Sequence, residues 1–139
     1  MNPFAKHILL VDDNRTDAEL TTFAIRKVHK PVHISWVESG EQALDFIRRT
    51  NETAHQIDLM ILDLTMPNLD GFGVLTHLQQ DQLKHFPVVM YSGSKKPEDE
   101  QRARELGAED YFSKPFDYFT NLRLFETICG RWLMMEKMV

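Results

Sequence analysis

The chain alternates between two hydrophobic periods from end to end. Residues 7–11 hold four consecutive aliphatics, Ile8-Leu9-Leu10-Val11, and read as a buried strand. Asn14 to Thr16 offer a helix N-cap, and Leu20, Phe23, Ala24, Ile25 and Val28 give an apolar stripe over 16–29. Val32, Ile34 and Trp36, with Val37, alternate as in a strand with one wetter face, which predicts an edge position. Ser39 caps a second helix, to about 49, with Ala43, Leu44, Phe46 and Ile47 inside. A polar loop over 50–56 precedes a third strand at 57–62. After the turn-rich run Met66-Pro67-Asn68-Leu69-Asp70-Gly71, a helix is predicted over 72–80. A strand over 87–91, a heavily charged helix over 97–106 stopped by Gly107, and a strand over 110–113 follow. The last helix runs from Tyr118 towards the C-terminus, with a break expected at Gly130 and an extension over about 130–139.

Five strand–helix units with continuous apolar strands predict an α/β fold, a parallel sheet covered on both faces. The flavodoxin-like doubly wound order 2-1-3-4-5, with five helices, suits five strands. That order reverses between strands one and three. Ligands of open α/β sheets bind at such a reversal, outside the carboxyl ends of the strands.

The residues at those carboxyl ends are polar. Asp12 and Asp13 follow strand one, Asp63 follows strand three, Ser92 follows strand four, and Lys114 follows strand five. Three carboxylates so close repel one another. A divalent cation with oxygen ligands relieves the repulsion, and Mg²⁺ is the usual choice beside a phosphoryl group. Each residue has a blander reading alone: an acid pair at a helix N-terminus, a turn serine, a loop lysine, a core tyrosine at 111. The six histidines show no metal-ligand spacing and read as surface or packing residues.

Length and composition narrow the setting. At 139 residues, 42% hydrophobic, the chain suits one domain over 1–139. A net charge of −5 argues against a nucleic-acid surface. A single cysteine, Cys129, suggests a reducing compartment. We see no signal-peptide h-region in Met1 to Lys6 and no apolar run long enough to cross a membrane, so the cytoplasm is the expected location.

Taken in order, these motifs resemble the response-regulator receiver domain, of the kind seen in the chemotaxis protein CheY, over about residues 7–129. Leu10-Val11-Asp12-Asp13-Asn14 resembles its first acidic motif, and Leu62-Asp63-Leu64-Thr65-Met66-Pro67 its phosphoacceptor loop. Tyr91-Ser92-Gly93 resembles the hydroxyl motif and Lys114-Pro115 the lysine motif. The resemblance implies a phospho-accepting switch rather than a metabolic enzyme, acting through a partner surface or a relay. Asp63 would take a phosphoryl group from a sensor histidine kinase. Asp13 would ligate Mg²⁺ directly, Asp12 partly through water, and the Thr65 carbonyl would add an oxygen. Lys114 and Ser92 would hold phosphoryl oxygens, and Tyr111 would be the switch aromatic. The Lys114–Pro115 bond would be cis. Serine stands at 92 where threonine is more frequent, and small polar residues, Thr65 and Ser94, flank the site.

Two other classes compete. A haloacid-dehalogenase-type phosphatase also uses an aspartate nucleophile after a strand, but needs an acid where Thr65 stands. An FMN carrier needs a Ser, Thr and Gly-rich loop where Asp12-Asp13-Asn14 would repel phosphate. Within the leading class, the long loop before strand three and the tail Leu124 to Leu133 resemble single-domain regulators that partner bacterial and cyanobacterial phytochromes, so a bacteriophytochrome is a candidate kinase. No effector domain fits in the chain. Phe119, Leu122, Phe125, Ile128 and Cys129 should face the sheet. Phe116, Leu124, Trp132, Leu133, Met134 and Met135 then leave a surplus of apolar groups. That surplus suggests a homodimer through the face of helix four, strand five and helix five, unless the tail packs back on its own domain.

Overall fold

The computed structural model describes residues 5–52 and 56–133. The elements are β1 (Lys6–Val11), α1 (Arg15–Val28), β2 (Val32–Val37), α2 (Gly40–Thr50), β3 (Leu59–Leu62), α3 (Gly71–Gln80), β4 (Val88–Ser92), α4 (Pro97–Glu105), β5 (Asp110–Ser113) and α5 (Tyr118–Trp132). The five strands form one parallel sheet in the order β2-β1-β3-β4-β5. The predicted α/β architecture is therefore the observed one, with β2 at an edge.

Strand alternation divides the core in two. Leu9, Val11, Met60, Leu62, Val88 and Met90 point to the side covered by α2, α3 and α4, against Ala43, Ile47, Val74, Leu78 and Ala103. Ile8, Leu10, Leu59, Ile61, Val89 and Tyr91 point to the side covered by α1 and α5, against Ala18, Ile25, Phe125 and Ile128. Both faces of the central strands are dry, hence their unbroken aliphatic runs. Each fully buried Leu or Ile contributes about 1.5–3 kcal/mol relative to exposure.

Local chemistry sets the helix starts beside the site. Asn14, Ser39, Asp70 and Asp117 each accept a backbone N–H from the first turn of the following helix. Gly71 is required by close approach: a Cβ there would lie 2.7 Å from the Asp63 carbonyl oxygen and 2.8 Å from Leu64 Cα. The Gly71 amide donates to the Leu64 carbonyl at 2.8 Å, folding the loop after β3 tightly back.

Four expectations need correction. The buried stripe of α1 is Ala18, Thr21, Ala24 and Ile25, whereas Leu20 and Phe23 are about half exposed. Positions 18, 21, 24 and 25, at i, i+3, i+6 and i+7, face inward, and Leu20 and Phe23 lie on the neighbouring face. Phe119 is exposed rather than facing the sheet; it lies in the first turn of α5 and its ring stacks edge-on to Tyr118. α5 passes through Gly130 without a break. Leu124 and Trp132 pack against the α1–α5 core and Leu133 is fully buried, so the tail seen here folds back on its own domain. Phe116 is left exposed, and Met134 and Met135 lie outside the described residues.

Candidate functional site

β1 and β3 end side by side, so Asp12, Asp13 and Asp63 emerge together. The Asp63 amide donates to the Val11 carbonyl at 3.0 Å, which locks the two strand ends in register. Oxygens of the three carboxylates lie within 4.8 Å of one another. Asp12 is buried, Asp13 exposed, and Asp63 lies at the floor of an opening of about 520 Å³ lined also by Asp17, Thr65, Ser94, Lys96 and Lys114. Among the described residues this is the cluster of His, Cys, Asp or Glu whose spacing suits a metal ion. An all-oxygen donor set open to solvent fits a hard divalent cation that retains several waters.

Asp12 is held from several sides. Its amide donates to the Val37 carbonyl at 3.2 Å, and its carboxylate accepts the Asn14 amide at 2.9 Å. The Trp36 indole N–H donates to its carbonyl oxygen at 2.8 Å. β2 thus fixes the backbone from which one of the three acids projects.

Lys114 follows β5 and joins the acids. Its amide donates to the Ser92 carbonyl at 2.7 Å, extending the β4–β5 pairing by one residue. Its ammonium lies 3.1 Å from Asp12, 3.1 Å from Asp17 and 3.4 Å from Asp63. The Lys114–Pro115 bond is not cis, contrary to the expectation; the cis X-Pro bond among the described residues is Lys30–Pro31. The extended pairing to Ser92 already directs Lys114 into the cluster, so no sharp turn is needed.

Electrostatics follow from this geometry. Burial, helped by the Asp12 charge, pushes the Asp63 carboxyl from 3.8 up to about 6, against the opposing pull of Lys114 and the Thr65 amide. Burial works against the charged Lys114, but Asp63 and Asp12 outweigh it and hold the ammonium above the usual lysine range. Tyr91, its ring under Lys114 at 5.6 Å, is pushed up to about 12 by burial.

Ser92 is fully buried at the end of β4, and its hydroxyl accepts the Ser94 amide at 3.2 Å. Tyr111 is buried with its hydroxyl on the Ser94 carbonyl. The Thr65 side chain is exposed at the rim, its amide 3.4 Å from Asp63. All seven residues singled out in the sequence therefore lie at this end of the sheet. A model of the response regulator receiver domain matches residues 8–123. The chain belongs to that family.

The receiver domain is 33% identical over 110 residues to the two-component response regulator ORR8 of Oryza sativa, covering 78% of this chain and 86% of that protein. It superimposes on the phosphorylated cyanobacterial phytochrome response regulator RcpA with a TM-score of 0.84 and 30% identity, covering 94% and 96% of the two chains. The Mn²⁺-bound form of response regulator Rcp1 matches with a TM-score of 0.80 and 27% identity, over 92% and 94%. The phosphatase alternative finds no support among these relatives. The protein is a two-component signalling switch, and no helix among its described residues is long and apolar enough to cross a membrane.

Sequence reasoning missed two residues. Asp17 reaches Lys114, and Trp36 reaches the Asp12 carbonyl. Asp17 lies in the first turn of α1, and nothing in the sequence pattern separates it from an ordinary helix N-terminal acid. Nothing in the strand pattern separates Trp36 from an ordinary edge aromatic.

Proposed function

We propose that this receiver domain accepts a phosphoryl group on Asp63 from the phosphohistidine of a sensor kinase, with Mg²⁺ held by Asp12, Asp13, Asp63 and the Thr65 carbonyl. The observation that carries the reading is the meeting of the Asp63 carboxylate and the Lys114 ammonium inside an acidic cluster open to solvent. An Asp63 oxygen attacks phosphorus, the N–P bond breaks, and the imidazole leaves with the electron pair. Lys114 offsets charge on the phosphoryl oxygens. A bound divalent cation would add to that neutralisation, consistent with the Mn²⁺ named for Rcp1. The Ser92 hydroxyl then turns to a phosphoryl oxygen, releasing the Ser94 amide, and Tyr111 passes the change to the surface.

We favour a phytochrome-type kinase as donor because RcpA, described as a phytochrome response regulator, matches nearly the whole chain. The domain catalyses its own phosphotransfer and dephosphorylation only, and the cytoplasm is its expected location. We also propose self-association on the α4–β5–α5 face; Phe116 and Phe119, just before and in the first turn of α5 and exposed at 96% and 69%, are large apolar groups left uncovered. Sedimentation with and without phosphorylation tests it, and a monomer in both states refutes it.

The deciding experiment for Asp63 is labelling with acetyl phosphate and Mg²⁺. One hydroxylamine-labile phosphoryl group is expected on the wild type and none on Asp63→Asn. Equal labelling of the variant removes the assignment.

A further inference from the structure

The Lys114 ammonium has three N–H donors, and three carboxylates surround it, Asp12, Asp17 and Asp63. A phosphoryl group arriving on Asp63 brings charge and three strong acceptor oxygens that also call for this cation. One of the existing partners must yield. Asp12 is buried and tethered by the Asn14 amide, the Trp36 indole and the Val37 carbonyl. Asp63 is the group being modified. Asp17 differs from both: its side chain is 41% exposed and projects from the first turn of α1. It stands between two openings, the one over Asp63 and a cleft of about 190 Å³ lined by Leu20, Tyr91, Phe116 and Tyr118.

We propose that Asp17 is a positioning residue that holds Lys114 in the unphosphorylated domain and competes with the phosphoryl group for it. The inference rests on the reading of Asp63 as phosphoacceptor. Asp17 stabilises the resting arrangement by occupying one N–H of Lys114. It opposes an anionic phosphodonor twice, by claiming that N–H and by its own charge at the rim. Swinging towards the cleft, it can release Lys114 without breaking a tether of its own helix, because the Asp17 amide stays on the Asn14 side chain.

The test uses the whole chain, Mg²⁺ and acetyl phosphate over a range of concentrations. Asp17→Asn should lower the half-saturating acetyl phosphate about fivefold, the scale of one charge acting near a protein surface. The maximal rate should change by less than about twofold, as expected for an effect on donor binding. Asp17→Glu, which keeps the charge, should stay near the wild type. Raising the ionic strength should shrink the difference between Asn and wild type. A purely helix-terminal acid would alter thermal stability and leave the half-saturating concentration unmoved. An unchanged or raised half-saturating concentration in Asp17→Asn, with the wild type labelled normally, overturns this inference alone. If that variant is unfolded, Asp17→Ser serves the same comparison. Failure of the wild type to label, or equal labelling of Asp63→Asn, overturns the phosphoacceptor reading and this inference with it.

Discussion

The Tyr111 hydroxyl donates to the Ser94 carbonyl oxygen at 3.0 Å, joining β5 to the loop that leaves the acidic cluster. The same carbonyl accepts the Ser113 hydroxyl at 3.2 Å, and the Ser94 amide donates to Ser92. One residue, Ser94, therefore links the buried hydroxyl at the end of β4 to the aromatic on β5. A displacement of Ser92 reaches Tyr111 through two hydrogen bonds.

Tyr111→Phe keeps the ring packing and removes one of the two donors to Ser94. A stability loss of about 0.5–1.5 kcal/mol is expected, since Ser113 still satisfies the carbonyl. Labelling of Asp63 should persist. Amide exchange across residues 93–96 should become faster and lose most of its response to acetyl phosphate. An unaltered response would mean that the loop does not report through Tyr111.

Acidification should weaken both metal binding and phosphorylation. The Asp63 carboxyl sits at about 6, above its ordinary 3.8, so its ionised form is disfavoured by the fold. By linkage, Asp63 adds stability as pH falls from above 6 towards 3.8 and the carboxyl gains a proton. The protonated carboxyl is neither ligand nor nucleophile. Mg²⁺ affinity, followed by tryptophan emission or calorimetry, should fall by up to about tenfold per pH unit below this value. Binding near the midpoint should release a proton, seen as a dependence of the heat on buffer. A flat affinity between pH 7.5 and about 5 would contradict the placement of Asp63 in the metal site.

Much of this site was legible because parallel strands bring their carboxyl ends together. Asp12, Asp13, Asp63, Ser92 and Lys114 follow apolar runs whose pairing needs only a strand order to make them neighbours. Asp17 and Trp36 were not legible, because their roles depend on side-chain reach between elements far apart in the chain. Phe119 was misplaced because helical spacing gives the period of α5 but not where its inward face begins. Its buried residues Phe125, Ile128 and Cys129 share the predicted spacing, while the first turn projects away from the packed core. Similarly, Leu20 and Phe23 look like core by hydropathy, yet Ala18 and Thr21 are the residues that face inward.

The two acids that follow β1 should respond differently to removal. The Asp12 carboxylate already accepts the Asn14 amide and the Lys114 ammonium, so it has less capacity for a direct cation bond than exposed Asp13. Asp13→Ala should weaken Mg²⁺ binding by about tenfold or more, the scale of losing one ligand's support. Asp12→Ala should weaken it less. It should also move the Asp63 titration downward, since the repelling Asp12 charge is gone and Lys114 is freed to pair with Asp63. Undiminished affinity in Asp13→Ala would refute the ligand assignment.

Asp110 anchors the far end of the same face. Its carboxylate accepts from Arg131 and from the Trp132 indole of α5, from Arg104 of α4 and from the Tyr111 amide. Burial alone would raise this carboxyl, but Arg131, Trp132 and the Tyr111 amide overcome it and hold it below the ordinary 3.8. A depressed carboxyl contributes stability that is present above its unfolded value and is lost as pH falls through its folded one. Asp110→Asn places an amide group among donors and leaves part of that network unsatisfied. A loss of about 1–3 kcal/mol at neutral pH is expected from urea unfolding, less if the half-exposed arginines find water instead. The difference between wild type and variant should narrow between neutral pH and acid, as pH falls below the ordinary 3.8 and the wild-type carboxyl in turn takes a proton. An equal difference at neutral and at acid pH would show that packing around Trp132, and not the charge of Asp110, holds the last turn of α5 to the sheet.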